Sequence, residues 1–166
     1  MHRLATLRDL AAVHDVERAA GQRFRTVGMY EVADDDPIST TDFEGYLLHD
    51  DAWVTVVDGS VVAYLLVEPI DDALHVEQVT VHPLHARQGF GSRLLDLAGQ
   101  HAADRSLRGL TLTTFRDVPW NAPYYARLGF AEIAREQWGP DLHRKVEQEA
   151  TLGLSRWPRV VMGRPV

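Results

Sequence analysis

The sequence predicts an α/β (α+β) domain on a mixed, mostly antiparallel central sheet flanked by helices. Three observations predict it. Ala52 to Val81 holds three strand-like runs separated by the turn signals Asp58-Gly59-Ser60 and Asp71-Asp72, an antiparallel meander. Gly89 to Ser106 then carries Leu94, Leu95, Ala98 and Ala102 at helical spacing, and Leu110 to Phe115 reads as a further strand. A strand–helix–strand passage of this kind implies one parallel crossover within the sheet.

From the N-terminus, His2 to Leu7 reads as a short strand. Leu10, Val13, Val16, Ala20 and Phe24 form the apolar stripe of a helix from Asp9 to about Phe24, capped by Thr6 or Asp9. Glu17 and Arg18 lie off that stripe and read as a solvated face. Gly28 to Pro37, with Asp34, Asp35 and Asp36, is loop-like. Thr41-Asp42-Phe43-Glu44 fits a capping box that opens a second short helix. Two helices before the second strand leave room for a lip on the substrate side.

Beyond the crossover, Pro119 to Pro123 turns into a short helix, Tyr124 to Leu128, closed by Gly129. Phe130 to Gln137 reads as a strand. Pro140 to Leu152 reads as a helix with Pro140 in its first turn and Gly153 at its end, and Arg159 to Met162 as the last strand. No repeat, low-complexity tract or internal linker interrupts the chain, so residues 1–166 are expected to form a single domain.

Composition removes several function classes. The net charge of −7 argues against non-specific nucleic-acid binding, which needs a basic footprint, although Arg87 and Arg93 suffice for a phosphorylated small molecule. The absence of Cys excludes disulfides, thiolate zinc sites and a cysteine nucleophile. The N-terminal stretch carries acids and no unbroken apolar run, and no segment approaches the roughly 20 apolar residues of a membrane span. A cytoplasmic location is expected. His82 and His85 are three apart, but Pro83 lies between them and no third ligand is near, so no metal is expected. The paired acids at Asp34–Asp36, Asp50–Asp51 and Asp71–Asp72 read as turn and solvation chemistry, or, for the first cluster, as an attraction for a cationic amine.

Val79 to Leu95, VTVHPLHARQGFGSRLL, carries most of the functional signal. A strand passes through Pro83 into a glycine turn and a helix N-terminus. The first helical N–H groups lack internal partners, and the helix dipole adds about half a positive charge there. Gly89 and Gly91 let an anion approach the main chain, and Arg87 supplies a charge. A Walker loop would need Lys-Ser/Thr after the second glycine, and a dinucleotide fingerprint would need a third glycine; both are missing. The residues by themselves specify a phosphate-bearing ligand without naming it.

One crossover later comes Tyr124-Tyr125-Ala126-Arg127-Leu128-Gly129-Phe130. The order meander, V-x-V-x-P, RQGFG, LL helix, strand and YYARLGF resembles the GCN5-related N-acetyltransferases (the GNAT family), from about Ala52 to Phe130. The resemblance implies acetyl-CoA as acyl donor and an amine, of a small molecule or a protein N-terminus, as acceptor, attacking directly in a ternary complex. It implies that the main chain of Val79, Thr80 and Val81 pairs with pantetheine. Pyrophosphate would sit on the amides of Arg87, Gln88, Gly89, Phe90, Gly91 and Ser92. One position departs from the family: Ala86 stands where Gln or Arg is frequent, with Arg87 next to it as a substitute. The resemblance also implies that Asn121 holds pantetheine or caps the short helix, and that the Val79 amide donates to the developing oxyanion. Oligomeric state stays open, with a homodimer through C-terminal strand exchange as a family habit.

The transfer needs a base, an oxyanion donor and an acid for the thiolate. Tyr125 stands four residues before Gly129, where the family's acid usually stands; its ordinary alternative is aromatic packing, the reading given to Tyr124. Strand alternation puts His75, Glu77, Val79 and Val81 on one face. Glu77 is the first candidate base and His75 the second, with bulk water as the third; the ordinary alternative for Glu77 is a surface ion pair. Some relatives place the base on the following strand, where Thr113 and Thr114 cannot serve. A non-catalytic acyl-CoA-binding module is the alternative to an enzyme; it would keep the glycine turn without needing Tyr125 or Glu77.

Overall fold

The structure, a computed structural model, describes residues 1–166. Its strands are β1 (His2–Leu4), β2 (Ala52–Val57), β3 (Ser60–Ile70), β4 (Ala73–Val81), β5 (Gly109–Phe115), β6 (Ala131–Glu132) and β7 (Arg159–Pro165). The helices are α1 (Leu10–Gly21), α2 (Tyr30–Ala33), α3 (Thr40–Leu48), α4 (Phe90–Asp104), α5 (Ala122–Arg127) and α6 (Pro140–Thr151). The strands form one mixed seven-stranded sheet in the order β1-β2-β3-β4-β5-β7-β6. Its one parallel pair is β4 with β5, the expected crossover. The β1–β2, β2–β3, β5–β7 and β6–β7 pairs are antiparallel. The two-residue turn between β3 and β4 permits only antiparallel neighbours.

The chain divides into two compact units, Met1–Glu68 with Gln78–Leu97, and Pro69–Glu77 with Ala98–Val166. The first unit is centred on Val13, Val16, Phe43, Ala52, Val54, Tyr64 and Leu66. Its β2–β3 connection has positive φ at both Asp58 (49°) and Gly59 (79°), the twist a two-residue hairpin requires. Three expectations change here. A short helix, α2, occupies part of the segment read as a loop, so three helices rather than two precede β2. The second of the expected helices begins two residues early: Ser39 Oγ, not Thr41, accepts the Asp42 amide at 3.1 Å. The first helix is α-helical only to Gly21 and continues as 3-10 turns to Val27. Its entry is held by Asp9, whose carboxylate accepts the Thr6 amide and pairs with Arg3 at 2.8 Å.

The second unit buries Ile70, Leu142 and Val161 against Ile133, Trp138 and Val146. The strand expected from Phe130 to Gln137 is reduced to Ala131–Glu132, opposite Gly163 and Met162. Past Ile133, the Trp138 indole Nε1 donates to the Ile133 carbonyl at 3.0 Å and the chain closes into a 3-10 turn, Arg135–Gln137. β7 runs three residues longer than expected, to Pro165, because β5 pairs with it along its whole length. Gly129 (φ 90°) and Gly153 (φ 84°) end α5 and α6 in the left-handed region. Tyr124, expected in the core, is half-buried, and its neighbour Tyr125 is buried.

Candidate functional site

In the first unit the site is a strand end and a turn. The ladder of β4 with β5 comprises Leu74↔Leu110 and His75↔Thr111. Val79, Thr80 and Val81 follow it, half-buried, and lie outside that ladder. The His82 amide bonds the Val62 carbonyl at 2.8 Å, and His82 Nδ1 accepts the Leu84 amide at 3.1 Å. That second bond caps the single 3-10 turn Pro83–His85, so His82 has a local backbone role.

The turn that follows is bent by two left-handed residues, Arg87 (φ 62°) and Gly89 (φ 80°). α4 begins at Phe90, and the Arg93 amide is the one that reaches back to the Gly89 carbonyl, at 3.1 Å. The Phe90, Gly91 and Ser92 amides precede it and so have no acceptor within the helix. The Arg93 guanidinium lies over the Phe90 ring at 5.5 Å, and a Cβ on Gly89 would stand 3.6 Å from its Nη2. Exposed Arg87, main-chain amides and Arg93 therefore surround one end of a 15-residue helix, an arrangement suited to an anion.

Glu17 is not on a solvated face. Its Oε1 accepts from Gln78 Nε2 at 3.1 Å and its Oε2 from the Ile38 amide at 3.3 Å, while His14 Nε2 meets the Ile38 carbonyl at 2.7 Å. α1 thereby grips both the second half of β4 and the segment after the acidic run. Arg18 is exposed, as expected.

In the second unit, His75 is 1% exposed and its Nδ1 lies 2.9 Å from Thr111 Oγ1. Burial, reinforced by Lys145 and Arg159, lowers its pKa to about 3, so the imidazole is neutral at working pH. Two residues on, the Glu77 side chain is 31% exposed and its Oε2 lies 2.5 Å from Lys145 Nζ. Next to this pair, Thr113 Oγ1 donates to the Glu149 carboxylate at 2.9 Å, and Arg159 Nη2 reaches Glu149 Oε2 at 2.5 Å and Thr113 Oγ1 at 2.9 Å. α6 supplies Lys145 and Glu149 from the same stripe as Leu142 and Val146, at helical i, i+3, i+4, i+7 spacing.

This ion-pair cluster is the part of the site that sequence reasoning missed. Its signal was available: two charged residues standing on the apolar stripe of α6. Thr113, set aside as unable to act as a base, instead bonds the carboxylate that α6 brings to it.

Tyr125 is buried, its ring edge-on to Tyr124 at 5.4 Å and to Phe130 at 5.7 Å. Burial, with Tyr124 as a lesser cause, raises its pKa above the usual phenol range, so the hydroxyl keeps its proton throughout the neutral range. The Tyr125 carbonyl accepts the Leu128 and Phe130 amides, and Arg164 Nη1 donates to the Leu128 carbonyl, clasping the end of α5. Asn121 precedes α5 without capping it through its side chain. Its Nδ2 reaches the Trp120 carbonyl at 3.4 Å, and its Oδ1 is buried without a partner, an acceptor waiting for a donor. Within the first unit, the helix-start amides and the strand end outside the β5 ladder suit a phosphate-bearing ligand.

No helix is long and apolar enough to cross a membrane. The model of the acetyltransferase (GNAT) family matches residues 13–130. Among solved structures, the chain is similar to PaiA N-acetyltransferase from Thermoplasma acidophilum in complex with coenzyme A. That match has 12% identity and a TM-score of 0.72, covering 100% of this chain and 98% of that one. It is also similar to Rv2747 from Mycobacterium tuberculosis in complex with CoA and NLQ (18% identity, TM-score 0.71, covering 100% and 99%). A third likeness is to the ribosomal-protein-S18-alanine N-acetyltransferase from Escherichia coli (19% identity, TM-score 0.65, covering 100% and 93%). At these identities the likeness is one of fold.

Proposed function

The chain belongs to the acetyltransferase (GNAT) family, and on that premise we propose that it is an N-acetyltransferase. The donor is acetyl-CoA and the acceptor an amine of a small molecule or of a protein N-terminus. The observation that carries this reading is the continuity of β4 with the turn. A strand end outside the β5 ladder runs directly into main-chain amides at a helix N-terminus. The main chain of Val79, Thr80 and Val81 holds pantetheine, and the amides of Arg87 to Ser92 hold pyrophosphate. Asn121 Oδ1 supplies a further acceptor for the donor substrate.

Glu77 takes the proton from the acceptor ammonium, the Val79 amide stabilises the developing oxyanion, and Tyr125 protonates the departing thiolate. Geometry favours Glu77 over His75 as base: the imidazole is almost fully buried and its Nδ1 is held by Thr111 Oγ1, whereas the Glu77 carboxylate is partly exposed. The acceptor is small or presented as a chain end, and the acidic run Asp34–Asp36 favours a cationic one. The protein acts in the cytoplasm, as a monomer or homodimer and in a single domain.

Thermal denaturation with increasing acetyl-CoA tests the donor: Tm should rise with ligand concentration. Thioester cleavage across a panel of amines then tests catalysis, with Tyr125→Phe expected to lower turnover about a hundredfold. An unchanged Tm at millimolar ligand sinks the reading. Binding without turnover of any amine would leave a non-catalytic acyl-CoA module in its place.

A further inference from the structure

Of the 17 Lys and Arg residues in this chain, one alone is lysine, Lys145. It is also the residue whose amine lies against Glu77, 2.5 Å from Oε2, with a side chain only 17% exposed. An arginine would make the same ion pair and a stronger fork; its guanidinium stays charged and does not act as a nucleophile. A lysine amine can lose its proton and then has the chemistry of an acceptor.

We infer that Lys145 is a self-acylation site: when acyl-CoA is present and no external amine occupies the acceptor position, Lys145 Nζ is acylated with Glu77 as base. The inference rests on the assignment of Glu77 made above. The Lys145 ammonium passes one proton to the Glu77 carboxylate, which returns it to solvent. The neutral nitrogen attacks the thioester carbonyl, a C–N bond forms and the C–S bond breaks. The second proton lost by nitrogen is matched by the one that converts the leaving thiolate to coenzyme A thiol. The products are an amide at Lys145 and free coenzyme A, with one proton released.

The amide carries no charge, so the reaction also removes the counter-ion of Glu77. The Glu149–Arg159–Thr113 bonds beside it also tie α6 to β5 and β7. Self-acylation therefore changes the electrostatics of the base.

The test uses the purified full chain with acetyl-CoA and no added amine, read by intact mass and peptide mapping. Because Lys145 is the single lysine, the N-terminal amine is its one competitor among primary amines, and mapping separates the two. The expected result is a gain of one acetyl group at Lys145, about a hundredfold slower in Glu77→Gln and absent in Lys145→Arg. Urea-unfolded wild type supplies the uncatalysed rate if Glu77→Gln does not fold. No gain at Lys145, modification confined to the N-terminus, or an equal rate in the unfolded chain or Glu77→Gln overturns the inference. Thermal shift and amine turnover are measured on the same preparation. If both proceed while Lys145 stays unmodified, self-acylation alone falls; if neither occurs, the proposed function falls with it.

Discussion

Asp71 Oδ2 accepts the Leu142 amide at 3.1 Å, and its Oδ1 accepts the Asp141 amide at 3.0 Å, so a turn residue of the β3–β4 hairpin caps a helix about 70 positions away. Gly139 makes this approach feasible, since a Cβ there would collide with the Asp71 carboxylate. Asp71 also has a left-handed φ of 54°. Asp71→Ala should therefore cost about 2 kcal/mol, roughly half from the lost cap and half from the strained turn. Asp71→Gly should lose mainly the cap, about 1 kcal/mol. Urea midpoints of the two variants check the split; equal losses would deny the turn its share.

His75 makes stability depend on pH in a definite direction. Its folded pKa, about 3, lies below the unfolded value of 6.5. The unfolded chain thus binds the proton first. Stability attributable to this site is fully present above about pH 6.5 and drains away as pH falls toward 3, at up to about 1.4 kcal/mol per unit. Urea denaturation at pH 7, 6 and 5 should show this slope in wild type. It should be reduced in His75→Gln, which has no proton to take up.

Glu149 joins α6 to β5 and β7 through Thr113 and Arg159. Burial disfavours the Arg159 charge and Glu149 offsets part of that, while the guanidinium also lies 4.8 Å from the Phe115 ring centre. Glu149→Ala leaves a largely buried guanidinium without its carboxylate and should cost about 1.5–3 kcal/mol. Glu149→Gln retains an acceptor for Thr113 and should cost less than half of that. Denaturant unfolding of the pair decides it; equal losses would assign the effect to charge alone.

Gly89 holds the turn before α4 at φ 80°. Gly89→Ala should destabilise the fold by about 1 kcal/mol through the left-handed backbone. If the turn relaxes, its amides no longer converge, and the acetyl-CoA-induced rise in Tm should shrink as well. A tenfold weaker Kd would lower the ligand's stabilisation by about 1.4 kcal/mol at saturating concentration. Calorimetry with and without ligand separates the two effects.

Much of this protein was readable along the chain because its signals are local. Asp58-Gly59 demands a two-residue hairpin, Gly129 and Gly153 stop helices, and the apolar residues of α4 repeat at helical spacing; each depends on neighbours within a turn or two. The same holds for the strand, glycine turn and helix from Val79 to Leu95, whose capacity for an anion follows from backbone geometry. What tertiary structure alone decided is which distant polar groups meet. Glu17 looked solvated until α1 set it against Gln78, and Asp71 looked like turn chemistry until α6 began at its carboxylate. His75 and Glu77 share a strand face, yet burial leaves one a neutral imidazole and an ion pair gives the other Lys145 as its neighbour. Burial and long-range pairing set the charge states of these groups, and neither is written in the spacing of residues along one strand.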